Sequence, residues 1–381
     1  MALLNYKERC DKVDKIKVIV VDDSAFMRKA ISDMIESESN FEVVAKLRDG
    51  RELVEKVDKY NPDIITLDLE MKDLDGLATL KELKRLGKKY PVLMVSSATT
   101  EGSELTLECL DNGAISFITK PSGSISLDII KVQKNLIEQI KSITSNINSK
   151  KKIISKNDKI SYRYNNDITY NNVPIIEEKS IKRENTMVMP KNKKIDAVVI
   201  GASTGGPKAL QEVLTKLPGN LGVPVFVVQH MPEGFTKVFS ERLDKACEMK
   251  VIEASEGMKI SKDTIYIAKG GQHMTVGSNN VINLNEEPPI WGVRPAVDKL
   301  FNSAIKVYGS KLVSVILTGM GRDGADGTSN IKDTGGITIS EDKSTCIIYG
   351  MPKAAFETGK VDLVIPLHEI ATKVIKIIQG T

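Results

Sequence analysis

Apolar and polar positions alternate in two ordered stretches of this chain, separated by one that follows no period. From Ile16 to about Ile140, short apolar runs recur between amphipathic segments. Ile16–Val21, Phe41–Ala45, Ile64–Leu67, Val92–Val95 and Ile115–Ile118 are expected to be strands. Helical spacing starts near Ala25, Arg51, Gly76 and Ser103, and again after Ile125. Repeated βα units predict a parallel sheet with helices on both faces.

From about Lys141 to Lys194 the period fades, and Lys, Asn, Ser and Ile dominate. A segment that buries so little apolar surface is expected to be a flexible basic linker over 141–194, its first residues finishing the preceding helix. Order returns at Ile195. Ala197–Ile200, Val223–Val228, Thr264–Ile267, Leu312–Leu317, Ile337–Ile339 and Leu363–Ile365 are predicted strands. Helical patterns start near Pro207, Phe235, Pro295, Ala325, Pro352 and Leu367. The expected fold class is α/β, with doubly wound parallel-sheet domains over 16–140 and 195–381.

Composition narrows the functional classes. A chain of 381 residues suits two or three units, and 41% hydrophobic with 27% charged residues is ordinary for globular protein. The net charge of +4 is small, and much of the excess lies between Lys141 and Lys194 and not on a recognition helix, which argues against nucleic acid as a partner. Cys10, Cys109, Cys247 and Cys346 show no CxxC pair or metal spacing, so small buried side chains are expected, not a disulfide framework. Met1 to Lys15 lacks the apolar core of a signal peptide, and no run reaches the roughly 18 apolar residues of a membrane span. The expectation is a cytoplasmic protein.

In the first half, chemistry gathers at strand ends. Asp22 and Asp23 follow the first predicted strand and Asp68 follows the third. The carboxyl ends of neighbouring parallel strands share one crevice. Carboxylates crowded there repel one another unless a cation sits among them, and an oxygen-preferring Mg²⁺ fits. Ser96 and Lys120 end two further strands, and their hydroxyl and ammonium suit phosphoryl oxygens. Asp68 is then placed to accept a phosphoryl group as an acyl phosphate. Any one of these groups alone reads as a solvated strand end; their recurrence at successive strand ends does not.

The segments VVDDSAFMR, DIITLDLEMKDLDG and FITKP resemble the response-regulator receiver domain, over about Ile16 to Ile140. The resemblance implies a flavodoxin-like domain phosphorylated at Asp68, with Asp22 and Asp23 binding Mg²⁺ and Ser96 and Lys120 sensing the phosphoryl group. Phe117 falls where that family carries a switch aromatic. Lys72 stands where the family usually has proline, which alters the loop's stiffness and charge and removes no reacting group.

In the second half, Gly201-Ala202-Ser203-Thr204-Gly205-Gly206-Pro207 follows a strand and opens a helix. Glycines permit a tight turn, and Pro207 suits the first helical position. Phosphate cradling and a nucleophilic serine beside an oxyanion hole both suit such a loop. The dinucleotide and P-loop fingerprints fail, whereas GxSxG is satisfied. His230 and Asp323 each lie just past another strand, so the three groups can converge at one sheet edge. His230 would deprotonate Ser203, and Asp323 would orient the imidazole. The amides of Thr204 and Met320 are candidate oxyanion donors. Alternatives stand beside this. Asp323 can simply cap the helix near Ala325, and His273 can serve as base or on the substrate side, though its neighbours look like a short strand.

GASTGGP, QHMP, WGVRPAVDKLF and LTGMGRDGA resemble the catalytic domain of the CheB family of chemotaxis protein-glutamate methylesterases, from about Asp196 to near the C-terminus. A receiver joined by a linker to that domain is the family's arrangement. The resemblance implies Ser203 as nucleophile, His230 as base and Asp323 as orienting acid. It also implies hydrolysis of glutamyl γ-methyl esters on methylated chemoreceptors, deamidation of receptor glutamines, a chemotaxis histidine kinase as phosphodonor, and Mg²⁺ in the receiver with no cofactor at the esterase site. Rival outputs are a DNA-binding domain, a binding module without catalysis, and a nucleotide-binding domain built on GASTGGP.

Overall fold

The computed structural model describes residues 15–97, 99–120, 127–161 and 193–380. The chain divides into two compact units, Met1–Thr144 and Ser145–Thr381.

The first unit alternates β1 (Ile16–Val21), α1 (Ala25–Glu36), β2 (Phe41–Leu47), α2 (Gly50–Tyr60), β3 (Ile64–Asp68), α3 (Gly76–Arg85), β4 (Val92–Ser96), α4 (Thr100–Asp111), β5 (Ser116–Thr119) and the first half of α5 (Leu127–Ser161), a helix that runs past Thr144. The strands pair in parallel in the order β2-β1-β3-β4-β5. Val18 to Val21, Ile64, Ile65, Leu67, Leu93 and Met94 form its buried centre, as expected of strands covered on both faces. Four helices are started by their own sequence. Ser24, Asp49, Asp75 and Thr99 each accept a hydrogen bond from an amide of the first turn that follows.

One boundary differs from the composition-based expectation. Helix α5 runs on to Ser161, through residues expected to begin a flexible linker. No Gly or Pro occurs between Leu127 and Ser161, so nothing in that stretch breaks the backbone hydrogen bonding. Residues 162–192 of the expected linker lie outside the described residues, as do Cys10 and the segment read for a signal peptide.

The second unit contains β6 (Ala197–Ala202), α6 (Gly206–Leu214), β7 (Val225–Gln229), α7 (Phe235–Ala246), β8 (Lys250–Glu253), β9 (Thr264–Ile267), β10 (His273–Gly277), β11 (Val281–Asn285), α8 (Val297–Tyr308), β12 (Leu312–Ile316), α9 (Ala325–Asp333), β13 (Ile337–Glu341), α10 (Met351–Glu357), β14 (Leu363–Ile365) and α11 (Leu367–Gln379). Seven strands form a parallel sheet ordered β14-β13-β12-β6-β7-β9-β8. The order reverses direction between β6 and β12, which makes their carboxyl ends the crevice of this sheet. Strand β8 and the antiparallel hairpin β10–β11 were not expected as a set, although a short strand at His273 was.

Among the described residues, none of the helices α6 to α11 is capped by the side chain of its own N-cap residue. Gly205, Gly234 and Gly324 hold three of those positions. The first amides of these helices are left for partners from elsewhere in the fold.

Candidate functional site

The second unit's site is built at the crevice of its sheet. The parallel register pairs Ala202 with Gln229, so the next residues, Ser203 and His230, leave adjacent strands side by side. The His230 amide donates to the Ala202 carbonyl at 3.1 Å, and the Ser203 amide to the Thr318 carbonyl at 3.1 Å. Gly319 lies against the serine: a Cβ there would stand 2.8 Å from Ser203 Cβ and 2.3 Å from Met351 Sδ. Gly205 turns the chain at φ 79°, a conformation open to glycine, before α6 begins.

His230 Nε2 and Asp323 Oδ2 are 2.8 Å apart, with Nε2–H donating to the carboxylate. Nδ1 is the ring nitrogen that Asp323 does not engage. Asp323 is 2% exposed. Its Oδ2 also accepts the Val297 amide at 2.6 Å, and its Oδ1 the Asp298 amide at 2.9 Å. Burial pushes the Asp323 carboxyl up, but the hydrogen bond and charge of His230 and the two amides outweigh it and hold it below the ordinary carboxylate range. The positive end of the α8 dipole acts in the same sense.

Asp323 therefore does cap a helix, but α8 and not the α9 that follows it. The complementary cap comes from Asp298 in the first turn of α8, whose Oδ1 accepts the Gly327 amide of α9 at 2.7 Å. The two aspartates thus cross-cap each other's helices. Asp298 Oδ2 accepts Trp291 Nε1 at 2.9 Å. Burial lifts the Asp298 carboxyl to about 6, the Gly327 amide opposes this, and the neighbouring Asp323 charge adds to it.

Behind the serine, a buried polar network fixes the loop. Thr318 Oγ1 donates to the Thr204 carbonyl at 3.1 Å, and the Thr318 amide donates to Glu341 Oε2 at 2.7 Å. Gln229 Nε2 donates to the carbonyls of Ser203 at 3.0 Å and His230 at 3.2 Å. Among the described residues no backbone hydrogen bond occupies the amides of Thr204 or Met320. Ser203 Oγ is not hydrogen-bonded to His230 there, a looseness common in unliganded sites.

His273 departs from expectation. It is 0% exposed, its Nδ1 accepts the Ala296 amide at 3.2 Å, and its Nε2 donates to the Pro288 carbonyl at 3.2 Å. Burial holds its pKa below the ordinary imidazole value, with the Pro288 hydrogen bond opposing. With both nitrogens taken and no exposed surface, it neither replaces His230 nor meets a substrate. It braces the start of α8. Asp298, Thr318, Gln229 and Glu341 were missed because they act through pairings distant in sequence. One signal was available: Arg294-Pro295-Ala296 opens a helix with no Ser, Thr, Asp or Asn at its cap.

In the first unit, carboxylate oxygens of Asp22, Asp23 and Asp68 lie within 4.8 Å of one another. Asp22 and Asp68 are both 0% exposed. Their Oδ2 atoms are buried without a hydrogen-bond partner. Lys120 Nζ is 2.7 Å from Asp68 Oδ1 and 3.7 Å from Asp22 Oδ2. Burial pushes the Asp68 carboxyl up to about 6; the Lys120 hydrogen bond and charge oppose this, and the Asp22 charge reinforces it. Orphaned hard oxygens in such a cluster fit a divalent, oxygen-preferring cation. Ser96 Oγ is turned to the carbonyls of Ser97 at 3.2 Å and Gly102 at 3.4 Å, and accepts Thr106 Oγ1 at 2.6 Å. Phe117 is half-buried on β5, and Lys72 is exposed beside the pocket of about 380 Å³ that Asp23, Glu70 and Leu105 also line.

The CheB methylesterase family model matches residues 198–374, and the response regulator receiver domain model matches residues 18–129. The protein-glutamate methylesterase/protein-glutamine glutaminase of Clostridium acetobutylicum is 49% identical over 368 residues, covering 97% of this chain and 99% of its own. Its Pyrococcus abyssi namesake is 42% identical over 370 residues, covering 96% and 94%. The crystal structure of the Thermotoga maritima CheB methylesterase catalytic domain shares 43% identity, covers 48% of this chain and 99% of its own, and has a TM-score of 0.47. Among the described residues, no helix is long and apolar enough to cross a membrane.

Proposed function

The chain belongs to the CheB family of receiver-linked methylesterases, and from that premise we propose that it is a phosphorylation-activated protein-glutamate methylesterase. Its substrates are glutamyl γ-methyl esters on chemoreceptors, hydrolysed to glutamate and methanol, and receptor glutamines are deamidated at the same site. The observation that best supports this is the 2.8 Å His230–Asp323 hydrogen bond, with Asp323 tied to two α8 amides and Ser203 leaving the neighbouring strand beside His230.

Ser203 Oγ attacks the ester carbonyl while His230 Nδ1 takes its proton. The carbonyl oxygen becomes an oxyanion facing the amides of Thr204 and Met320; one such donor is typically worth about 2.7–4 kcal/mol in the barrier. The imidazolium returns the proton to the departing methoxide, leaving an acyl-enzyme and methanol. Water, deprotonated by His230, then releases the glutamate and restores the serine. With a glutamine the leaving group is ammonia. Asp323 stays ionised throughout and stabilises the imidazolium.

In the receiver, Asp68 accepts the phosphoryl group from a chemotaxis histidine kinase. Asp22, Asp23 and Asp68 would hold Mg²⁺, which when bound neutralises charge during the transfer. Lys120 exchanges its bond to the Asp68 carboxylate for one to the phosphoryl group. Ser96 gives up the Gly102 carbonyl to do the same, and Phe117 follows that rearrangement. The esterase is held back by the unphosphorylated receiver, and a full reversal of occupancy from 1:99 to 99:1 requires about 5.5 kcal/mol of difference between the two states.

The test is methanol release from methylated receptor membranes, with and without acetyl phosphate and Mg²⁺, for the wild type, Ser203→Ala and Asp68→Asn. Release that rises with the phosphodonor, disappears in Ser203→Ala and loses its stimulation in Asp68→Asn is expected. No release from the wild type under either condition would sink the esterase assignment; release indifferent to the phosphodonor would sink the regulatory one.

A further inference from the structure

Trp291 is the one tryptophan of the chain, and it stands 51% exposed. Its backbone is in the left-handed region, at φ 54°. A bulky residue held there is strained and persists where its surroundings over-determine it. Here they do. The indole Nε1 donates to Asp298 Oδ2 at 2.9 Å, the Arg322 guanidinium lies 4.5 Å from the ring centroid, and a β-bridge pairs Ile290 with Val293 on either side of the turn. A large apolar ring is thereby held half in water.

Both members of this stack are joined directly to the esterase site. Arg322 precedes Asp323 in the chain, and Asp298, which anchors the indole, gives its own amide to the Asp323 carboxylate at 2.9 Å. The ring and the guanidinium are thus positioned by the same helix ends that position the carboxylate holding His230.

We propose that Trp291 and Arg322 form a docking lip that selects an acidic polypeptide segment around the scissile glutamyl ester; this specificity role rests on the esterase assignment above. The chemistry favours that class of ligand. A guanidinium lying over an indole uses its face for the ring and keeps its in-plane N–H donors for a planar carboxylate. One donor, Nη2, reaches Asp326 at 3.0 Å, with the two side chains 54% and 52% exposed. An exposed i,i+4 pair of this kind is worth little and is readily exchanged for an incoming carboxylate. The indole face covers the apolar stems of the segment, and the guanidinium pairs with a neighbouring acidic side chain. A hydrolase whose product is a glutamate side chain meets such neighbours wherever its target lies in a glutamate-rich sequence.

Because Trp291 has no other indole to compete with, its fluorescence reports on the lip alone. The full-length Ser203→Ala protein is titrated with a synthetic glutamate-rich peptide carrying one γ-methyl glutamyl ester and a fluorescein label. Trp291 emission and peptide anisotropy are followed in parallel. The emission change is expected to saturate at the same peptide concentration as the anisotropy. Adding Arg322→Gln is expected to weaken binding about five- to tenfold, as is replacing the peptide's flanking glutamates by lysine. Trp291→Phe, which keeps a ring face without the Asp298 bond, is expected to bind more tightly than Trp291→Ala.

Three outcomes overturn the proposal: no saturable binding, anisotropy that saturates while Trp291 emission stays constant, or equal affinity in Arg322→Gln at an unchanged thermal midpoint. The titration needs no turnover. A peptide that binds with the expected signature but yields no methanol with the Ser203-containing chain would therefore sink the esterase assignment and leave the lip standing.

Discussion

Asp68 and Asp323 hold corresponding places in the two halves of the chain. Asp68 closes β3 and Asp323 lies in the loop after β12, both interior strands of parallel sheets, and each is buried, at 0% and 2% exposure. Their surroundings are opposite in kind. Asp323 has its carboxylate wrapped by two helix amides and an imidazole, and its pKa is held low. Asp68 has an orphaned Oδ2, a like charge beside it, and two donors, Lys120 at 2.7 Å and the Glu70 amide at 3.3 Å, both on Oδ1, and its pKa is pushed up to about 6. The first carboxylate is complete before any ligand arrives. The second is left incomplete, with a buried oxygen that a divalent cation would satisfy. Burial alone does not tell the two carboxylates apart; the donors meeting their oxygens do.

The largest test of this contrast is kinetic. Ser203→Ala is expected to lower methanol release about 10⁶-fold and Asp323→Asn about 10⁴-fold in kcat, with KM little changed. A loss of only a few-fold in Asp323→Asn, measured by initial rates, would mean that its wrapped carboxylate merely caps α8.

The next effect is in stability against pH. Asp68 titrates near 3.8 when unfolded and near 6 when folded, so the folded chain binds the additional proton between those values. The favourable contribution is present below pH 3.8 and is lost as pH rises through 6, amounting to about 3 kcal/mol. Asp68→Asn is expected to slow amide exchange of β1 and β3 at pH 7 in metal-free buffer, by about 1–3 kcal/mol of opening energy once the stranded Lys120 is counted. Mg²⁺ at about 100 times its Kd is expected to add about 2.7 kcal/mol to the wild type. Exchange unaffected by pH, Mg²⁺ and Asp68→Asn alike would remove the contrast.

A smaller pair of variants sharpens it. Thr318→Val removes the hydroxyl that holds the Thr204 carbonyl, and Thr106→Val removes the one that holds Ser96. Each is expected to cost about 1–2 kcal/mol. The first should appear as a roughly tenfold fall in kcat on a saturating ester, the second in the response to acetyl phosphate. Ser24→Ala, which removes a local cap on the Met27 amide at 3.4 Å, is expected to have the smallest effect, about 0.5 kcal/mol in thermal midpoint measurements, with no kinetic change on the ester.

The strands that carry both sites were legible in the sequence, because buried parallel strands are continuous apolar runs and the candidate residues lie at their carboxyl ends or in the loops that follow. Ser203, His230, Asp22, Asp23 and Asp68 stand at such ends, and Asp323 lies in the loop between β12 and α9. What was not legible depends on pairing over distance. The amides that hold Asp323 are 25 and 26 residues away, and the wrong helix was considered for its cap because only a local partner can be read from spacing. His273 looked available because an imidazole's partners are invisible in sequence. The extension of α5 to Ser161 was missed because composition suggested solvation, whereas the absence of any helix breaker decided the backbone.

The exchange of caps between α8 and α9 ties two helix ends into one cooperative latch. Fraying the first turn of α8 takes the Asp298 carboxylate from the Gly327 amide of α9 as well as two amides from Asp323, so the two helix starts loosen together. In a heated sample, residual hydrolysis and exchange at the amides of Val297, Asp298 and Gly327 should then fall along a single curve, and the enzyme's own turnover becomes a thermometer for the opening of that latch.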